Sequence, residues 1–379
     1  MDHVVSSSYV LILTNPEDYH AFVISEALER KGIPHGLWHA VDFPSLQRAS
    51  VRLGVEHEIY SINGPEFSLP PKTRPSAVWL RRPGKPVVPE GIDARDQLFA
   101  YRECWAFLEG VRRAVGDGAF WVNPPAGFSR ANLKIEQLRS AARSGFRIPE
   151  TLVSNDPAEI IPFVKARAGR VVYKAFFPFS WQSPEGGAAT LFSSAVSIED
   201  LPEDPVLAAV PGIYQDLVDK AYEIRATVFG ERFFAVKVHS QKIPSAHMDW
   251  RAATDRVPLE VLALPDSLKR ACRAVMDDLG IVFGCFDLVV TPNDDYIFLE
   301  VNEMGAFLWL EEQMPELAFV DTFCELLVQA RPDFRTESIR PKVSLSDVHD
   351  AAIRRMKTSA DFHICEKVPA GETPSANSL

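Results

Sequence analysis

The stretches "GCFDLVV" at residues 284–290 and "YIFLEVN" at residues 296–302 lie on either side of TPNDD, a sequence typical of a turn. Two such apolar runs around a short turn predict the antiparallel strands of a β-hairpin. Because side chains alternate between the faces of a strand, the second strand has two predicted faces. One consists of Tyr296, Phe298, Glu300 and Asn302, and the other of Ile297, Leu299 and Val301. The strand is apolar on both faces until its end, where the first face carries a carboxylate and an amide.

A hairpin centred between Asn293 and Asp294 places Asp287 directly opposite Glu300. Two carboxylates about 5 Å apart repel each other by about 3 kcal/mol at an effective dielectric constant of about 20. A fold tolerates this if both side chains reach water, if one is protonated, or if a cation lies between them. Together with the amide oxygen of Asn302, the pair offers hard oxygen ligands that suit Mg²⁺. The spacing alone leaves a metal site and a solvent-facing strand end as alternatives.

Several charged side chains stand where they can serve such a site, and each also has an ordinary explanation. Lys174 ends the predicted strand RVVYK before a loop rich in Ser and Gly, where a lysine can reach phosphates, but a lone lysine on a strand is usually an edge charge. Lys134 is one lysine on an amphipathic helix. Glu223 and Arg225 lie two residues apart on one face of a predicted strand, and their ordinary explanation is a cross-strand ion pair. Arg251 lies in a loop, where it can clamp an anion or simply face solvent.

The composition is that of an ordinary globular protein, because 46% of the 379 residues are hydrophobic and 24% are charged. This length predicts two or three domains. The net charge of −11 argues against a general nucleic-acid binder. No apolar run reaches membrane-spanning length, and no secretion signal precedes residue 10. Five dispersed cysteines without metal-ligand spacing favour a reducing cytoplasm.

The chain begins with a β-α-β pattern, in which Asp18 caps a helix that ends near Gly32. This opening predicts an α/β domain, and it contains neither GxGxxG nor a Walker A sequence. Later helices and strands are mixed, so the predicted fold class is α/β (α+β). The predicted parts are an N-terminal domain at 1–119, a central subdomain with a phosphate loop at 120–212, a C-terminal subdomain with the metal site at 213–334, and a polar, partly disordered tail at 335–379.

Taken in chain order, six stretches resemble the motifs of an ATP-grasp ligase: VVYK before a loop, YQDLV, YEIR, DWR, CFDLVV and FLEVN. The resemblance covers roughly residues 120–330. Within that superfamily, the chain is similar to the graspetide-maturing (microviridin-type) ligases, through VWLRRP, VNPP, YEIRATV, DWR and the LWLEE that follows EVN. The ribosomal-protein glutamate ligases are more distant relatives. The resemblance implies an ATP-grasp fold behind an N-terminal α/β pre-ATP-grasp domain.

The resemblance also implies a role for each matching position. The magnesium ligands would be Asp287, Glu300 and Asn302. The phosphate-binding lysines would be Lys134 and Lys174. The backbone that reads adenine would belong to Gln215, Asp216, Leu217 and Val218, and the ribose would contact Glu223. The catalytic arginines near the phosphates and the acyl phosphate would be Arg225 and Arg251.

The chemistry implied by the resemblance uses ATP and two Mg²⁺ ions. ATP phosphorylates a carboxylate to give an acyl phosphate and ADP, and a hydroxyl or amine then displaces phosphate. In graspetide ligases this forms ester or amide crosslinks in a ribosomally made precursor peptide, whose leader segment docks on the enzyme. The resemblance therefore implies a precursor-peptide partner, and we also expect a homodimer.

One stretch departs from the family. After EVN, graspetide ligases usually continue with proline, asparagine, glycine, glutamine and tryptophan, whereas this chain has Glu303, Met304, Gly305, Ala306 and Phe307. The loop FPFSWQSPEGG, at residues 177–187, also replaces a compact Gly-rich turn. The usual acceptor is therefore not implied, and the nucleophile can be a Ser, Thr or Lys side chain or a free amine.

Two other functions compete with peptide crosslinking. One is an ATP-grasp ligase that adds a free amino acid or amine to a carboxylate of a small molecule, peptide or protein, and VWLRRP argues for the peptide-modifying group instead. The other is a nucleotide-binding regulator without catalysis, against which the complete set of Asp287, Glu300 and Asn302 argues. A purely structural protein would have no use for opposed carboxylates with aligned lysines.

Overall fold

The computed structural model describes residues 9–71, 73–177, 193–253, 257–336 and 341–365, and the backbone alone of 180–182 and 188–190. Its first part is a parallel four-stranded sheet in the order β2-β1-β6-β7, with a small antiparallel sheet, β3-β4-β5, beside it. The strands are β1 (Val10–Thr14), β2 (His35–His39), β3 (Arg48–Gly54), β4 (His57–Asn63), β5 (Ser68–Leu69), β6 (Ala77–Leu80) and β7 (Phe120–Val122). The helices are α1 (Tyr19–Arg30) and α2 (Gln97–Val115).

The second part is an antiparallel sheet in the order β12-β9-β13-β8, with the separate hairpin β10-β11. Its strands are β8 (Thr151–Ser154), β9 (Val171–Lys174), β10 (Ser180–Gln182), β11 (Ala188–Thr190), β12 (Ser194–Val196) and β13 (Gly212–Asp216). The helices of this part are α3 (Pro125–Ala131), α4 (Lys134–Arg143), α5 (Pro157–Ala166) and α6 (Asp204–Ala209).

The third part is an antiparallel five-stranded sheet in the order β16-β15-β14-β17-β18. Its strands are β14 (Tyr222–Phe229), β15 (Arg232–Val238), β16 (Leu259–Val261), β17 (Phe283–Val290) and β18 (Tyr296–Asn302). The helices are α7 (Asp266–Leu279), α8 (Leu308–Gln313), α9 (Phe319–Gln329) and α10 (Leu345–Ala360). Among the described residues, no helix is long and apolar enough to cross a membrane.

Local sequence signals placed several elements correctly. Asp18 caps α1, because its carboxylate accepts a hydrogen bond from the backbone N–H of His20. Gly280 ends α7 in the left-handed conformation with φ of 76°, and Gly230 turns the β14-β15 hairpin with φ of 55°. A Cβ at residue 230 would lie 2.2 Å from the carbonyl oxygen of Pro332, so glycine is required there on two counts.

The hairpin β17-β18 contains a β-bulge that the alternation did not predict. Asp287 pairs with Glu300 as predicted, but Leu288 pairs with Phe298, so Leu299 is an extra residue. The bulge reverses the alternation, and Phe298 and Val301 therefore both lie in the core beneath α4 and α7. The prediction that Tyr296 and Phe298 share a face with Glu300 and Asn302 is wrong for this reason.

The N-terminal sheet uses residues from beyond the predicted first part, since β7 pairs with β6. The segment 335–379, predicted as a polar tail, contains the helix α10, whose buried side chains Leu345, Val348 and Ala352 belong to the same core as α1. This helix was not predicted from the sequence, because it is stabilised chiefly by packing against α1, which lies far away in the chain.

The end of α10 is fastened to the N-terminal domain through His363. The Nδ1 atom of His363 lies 2.6 Å from Asp42 Oδ2, and Nε2 lies 3.0 Å from Glu66 Oε2. Burial alone lowers the pKa of His363, but the hydrogen bonds and charges of Asp42 and Glu66 outweigh burial and raise it. The neighbouring ring of His39, 4.4 Å away, has a pKa lowered to about 4 by burial.

This arrangement predicts a pH-dependent contribution to stability. A histidine whose pKa is raised by folding stabilises the fold fully below its unfolded pKa of about 6.5, and the contribution is lost as the pH rises through the folded pKa. We expect the difference in melting temperature between the wild type and His363→Gln to be largest near about pH 6 and to shrink toward about pH 9. His39 stays neutral over this range. A difference that does not vary with pH would contradict the assignment.

Candidate active site

One face of the five-stranded sheet carries a row of charged side chains. Arg225 on β14 pairs in register with Asp287 on β17, which pairs in turn with Glu300 on β18. Glu223 lies two residues before Arg225, and Asn302 two residues after Glu300, so both extend the row on the same face. The opposite face packs on the core, which is why these polar residues face a single side of the sheet.

A cation lies between the opposed carboxylates, and it is Arg251. Its Nη2 atom lies 2.7 Å from Asp287 Oδ2 and 2.7 Å from Glu300 Oε1. Arg251 stands in the short 3₁₀ helix Trp250–Ala253, and its Nη1 atom also lies 3.4 Å from Asp249. Burial lowers the pKa of Arg251, but the surrounding carboxylates outweigh burial and raise it. The sequence offered three ways to relieve the repulsion, and the structure uses this one.

Two further cations complete the network. Lys134, the first residue of α4, places Nζ 2.5 Å from Glu300 Oε2. Arg225 donates to Asp287 Oδ1 at 2.9 Å, the cross-strand ion pair that was its ordinary explanation. Burial raises the pKa of Glu300, but Lys134 and Arg251 reverse this and hold it well below its usual value. Burial raises the pKa of Asp287 despite both arginines.

Lys174 ends β9 and approaches the same network from the second sheet. Burial lowers the pKa of Lys174, and the charge of Glu300 acts against this while those of Lys134 and Arg251 add to it. The ammonium of Lys174 therefore interacts electrostatically with the charges of this network. The loop that follows Lys174, predicted to bind phosphate at 177–187, lies mostly outside the described residues.

The segment predicted to read adenine runs along the other sheet. Gln215 and Asp216 close β13, and Gln215 donates to the hydroxyl of Thr151 at 2.9 Å. Asp216 forms an ion pair with Arg167. Leu217 and Val218 follow the strand.

The backbone groups of this segment point to two different edges of the strand. The backbone N–H of Leu217 donates to the carbonyl of Arg170 at 2.9 Å, and the Arg170 guanidinium donates to the Leu217 carbonyl at 3.0 Å. The backbone N–H of Asp216 points to the opposite edge, where it donates to the carbonyl of Glu150 at 3.0 Å.

Two residues that contact the predicted site residues were not predicted from the sequence. Lys220 Nζ lies 3.0 Å from the carboxylate of Glu223, whose pKa is raised by burial although Lys220 opposes the rise. Asp249 accepts from the backbone N–H of Arg251 at 3.1 Å, and so orients the arginine's loop. An aspartate two residues before the arginine is a turn signal that could have identified this contact.

The departure after EVN creates a buried acid. Glu303 is 4% exposed, and burial raises its pKa to about 7. Its Oε1 atom has no hydrogen-bond partner among the described residues.

The donor set of the row fits a magnesium ion. Asp287, Glu300 and Asn302 offer oxygen atoms only, which Mg²⁺ prefers. Asn302 Oδ1 accepts from the backbone N–H of Met304 at 3.0 Å, which fixes the amide oxygen's direction and leaves a second lone pair. Among the described residues, no cluster of three or more His, Cys, Asp or Glu side chains is arranged to hold a metal. The candidate site therefore depends on the asparagine as its third donor.

No protein-family model matches the chain, and no curated protein matches it. Solved structures do. An ATP-grasp ligase of Chryseobacterium gregarium, associated with ribosomally made peptides and in complex with ADP and a leader and core peptide, is 26% identical, with a TM-score of 0.75 over 87% of this chain and 99% of that one.

Two macrocyclases of Microcystis aeruginosa are also similar. MdnC, bound with precursor peptide MdnA, is 28% identical, with a TM-score of 0.72 over 85% of this chain and 99% of that one. MdnB is 28% identical, with a TM-score of 0.70 over the same shares. The predicted ATP-grasp fold is confirmed. So are the predicted resemblance to ligases that modify ribosomal peptides and the predicted enzyme class, an ATP-grasp ligase.

Proposed function

We propose that the chain is an ATP-dependent, ADP-forming ligase that joins a carboxylate to a hydroxyl or amine within a ribosomally made precursor peptide, producing ester or amide crosslinks. The observation that carries the proposal is the row Arg225-Asp287-Arg251-Glu300-Lys134, in which three cations converge on two opposed carboxylates. Similar structures were solved with ADP and with leader, core or precursor peptides.

We assign ATP and Mg²⁺ to this row. Asp287, Glu300 and Asn302 hold the metal, and Lys134 and Lys174 bind phosphate groups. Bound Mg²⁺–ATP supplies a γ-phosphoryl group, whose charge the metal and cations stabilise during transfer to the substrate carboxylate.

The remaining assignments concern nucleotide binding and acyl transfer. The Asp216 carbonyl and the Val218 N–H are the backbone groups available to adenine, with Gln215 and Leu217 tied into the sheet. Glu223, held by Lys220, binds the ribose.

Arg225 and Arg251 are the catalytic arginines. Arg225 is 4% exposed and braces Asp287, whereas the side chain of Arg251 is 29% exposed and reaches both carboxylates. Arg251 is therefore the residue that can transfer its hydrogen bonds to an incoming phosphate or acyl phosphate. The nucleophile attacks the carbonyl carbon of the acyl phosphate, which forms the new C–O or C–N bond and releases phosphate. The nucleophile's proton leaves with the phosphate.

The partner is a precursor peptide whose leader segment docks on the enzyme. We also propose a homodimer. The first half of α2 supports it, since Leu98 is 60%, Phe99 67% and Trp105 37% exposed, and an exposed apolar helix face is typical of a surface that a partner covers. The mass of the particle in solution tests this. Because the reaction consumes ATP and a ribosomal product, we place the protein in the cytoplasm.

The function is tested by incubating the protein with ATP, Mg²⁺ and a peptide encoded beside it, and reading the peptide's intact mass. Loss of one water for each ADP formed supports an internal ester or amide. A gain equal to an added amine less water would move the function to intermolecular ligation. Nucleotide binding without mass change or ADP release would point to a different carboxylate substrate or to a regulator.

A further inference from the structure

The backbone of the loop at residues 303–307 is held by side chains from four separate parts of the chain. Asn123 donates to the carbonyl of Glu303 at 3.0 Å, Arg225 donates to the carbonyl of Ala306 at 3.0 Å, Arg81 donates to the carbonyl of Met304, and the backbone N–H of Phe307 donates to His20 at 3.2 Å. Two of these side chains, His20 and Arg81, come from the N-terminal domain. That domain therefore fixes the loop that follows the candidate magnesium ligands.

Arg81 is anchored at its other end. It follows β6, is 0% exposed, and donates from Nε to Asp18 Oδ2 at 3.1 Å. The same Asp18 oxygen accepts from the hydroxyl of Thr14 at 2.9 Å, and Asp18 caps α1. Burial raises the pKa of Asp18, but Arg81 and Arg82 reverse this and lower it, so the anchor is an ionised carboxylate. The guanidinium cannot shift without disturbing the start of α1.

Met304 connects this anchor to the metal site. Its carbonyl accepts from Arg81, and its N–H donates to Asn302 Oδ1 at 3.0 Å. We propose that Arg81 is a positioning residue for magnesium: by fixing Met304, it keeps the amide oxygen of Asn302 turned toward the metal. This proposal rests on the proposed function, because it takes Asn302 as a magnesium ligand.

The cost of burying this arginine supports a positioning role. The Nη2 atom of Arg81 has no hydrogen-bond partner among the described residues, and an incompletely satisfied buried guanidinium is expensive. An apolar side chain of similar volume is often as stable in such a place or more so. Packing alone therefore does not explain an arginine at this position. Replacing a group that orients a metal ligand by hydrogen bonds typically changes metal affinity 10- to 100-fold.

The test is calorimetric titration of Mg²⁺ into the whole protein saturated with ADP, for the wild type, Arg81→Lys and Arg81→Met. Arg112→Met is the matched control. Arg112 is 4% exposed and donates to the carbonyls of Pro83 at 2.6 Å and Gly84 at 3.0 Å, so it holds the turn just after Arg81 in the same manner without touching the loop at 303–307. ADP affinity without Mg²⁺ is measured in parallel.

We expect Arg81→Met to weaken Mg²⁺ binding by about 10-fold or more, with ADP affinity in the absence of metal unchanged. Arg81→Lys keeps the charge but loses the forked geometry, and should fall between Arg81→Met and the wild type. Arg112→Met should lose stability without losing Mg²⁺ affinity. Wild-type Mg²⁺ affinity in the Arg81 variants, or an equal loss in Arg112→Met, overturns the proposal. If Arg81→Met does not fold, Arg81→Lys alone decides.

Asn302→Ala supplies the second arm. Because Arg81 is proposed to act through Asn302, Arg81→Lys should have no further effect on Mg²⁺ affinity in the Asn302→Ala background. An equal effect in both backgrounds overturns the proposed route. A wild-type protein that binds neither ADP nor Mg²⁺ would instead refute the proposed function, and this outcome is recognised before any variant is made.

Discussion

Replacing Glu300 with glutamine is expected to lower ADP formation by about 10³-fold, or ~4 kcal/mol of transition-state stabilisation. Glu300 contacts both Lys134 and Arg251, at 2.5 and 2.7 Å. Glutamine keeps the volume but removes the negative charge with which the carboxylate attracts the metal. The substitution also removes the negative charge that pairs with Lys134 and Arg251. Arg251 keeps its contact with Asp287 at 2.7 Å, so the fold should survive.

The measurement is ADP release with ATP, Mg²⁺ and the precursor peptide present, beside a thermal melt of each protein. Glu312→Gln is the control, because Glu312 is exposed on α8 and undergoes the same chemical change. We expect Glu312→Gln to match the wild type in both assays. A folded Glu300→Gln protein with wild-type turnover would remove Glu300 from the metal site.

Replacing Lys31 with methionine is expected to destabilise the protein by about 3–5 kcal/mol, the usual cost of breaking a buried ion pair by removing one partner. The Lys31 side chain is 0% exposed, and its Nζ lies 2.6 Å from Asp321 Oδ1 and 2.9 Å from the carbonyl of Pro341. The same Asp321 oxygen accepts from the backbone N–H of Val343 at 3.0 Å. Lys31 thus joins α1 to α9 and to the segment that leads into α10.

Chemical denaturation of the whole protein measures this loss. Lys165→Met serves as the control, since Lys165 is exposed in the last turn of α5, and surface substitutions usually change stability by less than about 0.5 kcal/mol. Limited proteolysis would show where the loss acts, because the segment around Val343 should become the first site of cleavage. Equal unfolding curves for Lys31→Met and the control would mean that the pair contributes no net stability.

Local signals were sufficient wherever a feature depends on residues close in sequence. The pairing of Asp287 with Glu300 followed from a turn and two apolar runs, and the end of α7 followed from Gly280. The bulge at Leu299 did not follow, because it depends on which side chains the core beneath α4 and α7 accepts. The helix α10 was missed because it is stabilised chiefly by packing against α1, more than 300 positions earlier in the chain.

The candidate site shows the same division. The sequence predicted the two opposed carboxylates, whose repulsion must be relieved by a cation, water or a proton. Which of the three applies could not be predicted from the sequence. Arg251 is 36 residues from Asp287 in sequence, and nothing in its loop has a periodicity that predicts where its side chain points. The role of Arg81 was equally invisible, since a basic residue after a strand reads as an edge charge until its partners are known.

The sequence by itself determined the hairpin β17-β18, the opposed carboxylates and the resemblance to ATP-grasp ligases, because alternation, turn chemistry and motif order are local properties. The tertiary structure decided what neutralises those carboxylates and what holds the loop after Asn302. Both depend on contacts between residues 36 to more than 200 positions apart, such as the side chains of Arg251 and Asp287, or the side chain of Arg81 and the backbone carbonyl of Met304. Charged groups buried together must be paired at hydrogen-bond distance, and only the folded chain brings those partners within that distance.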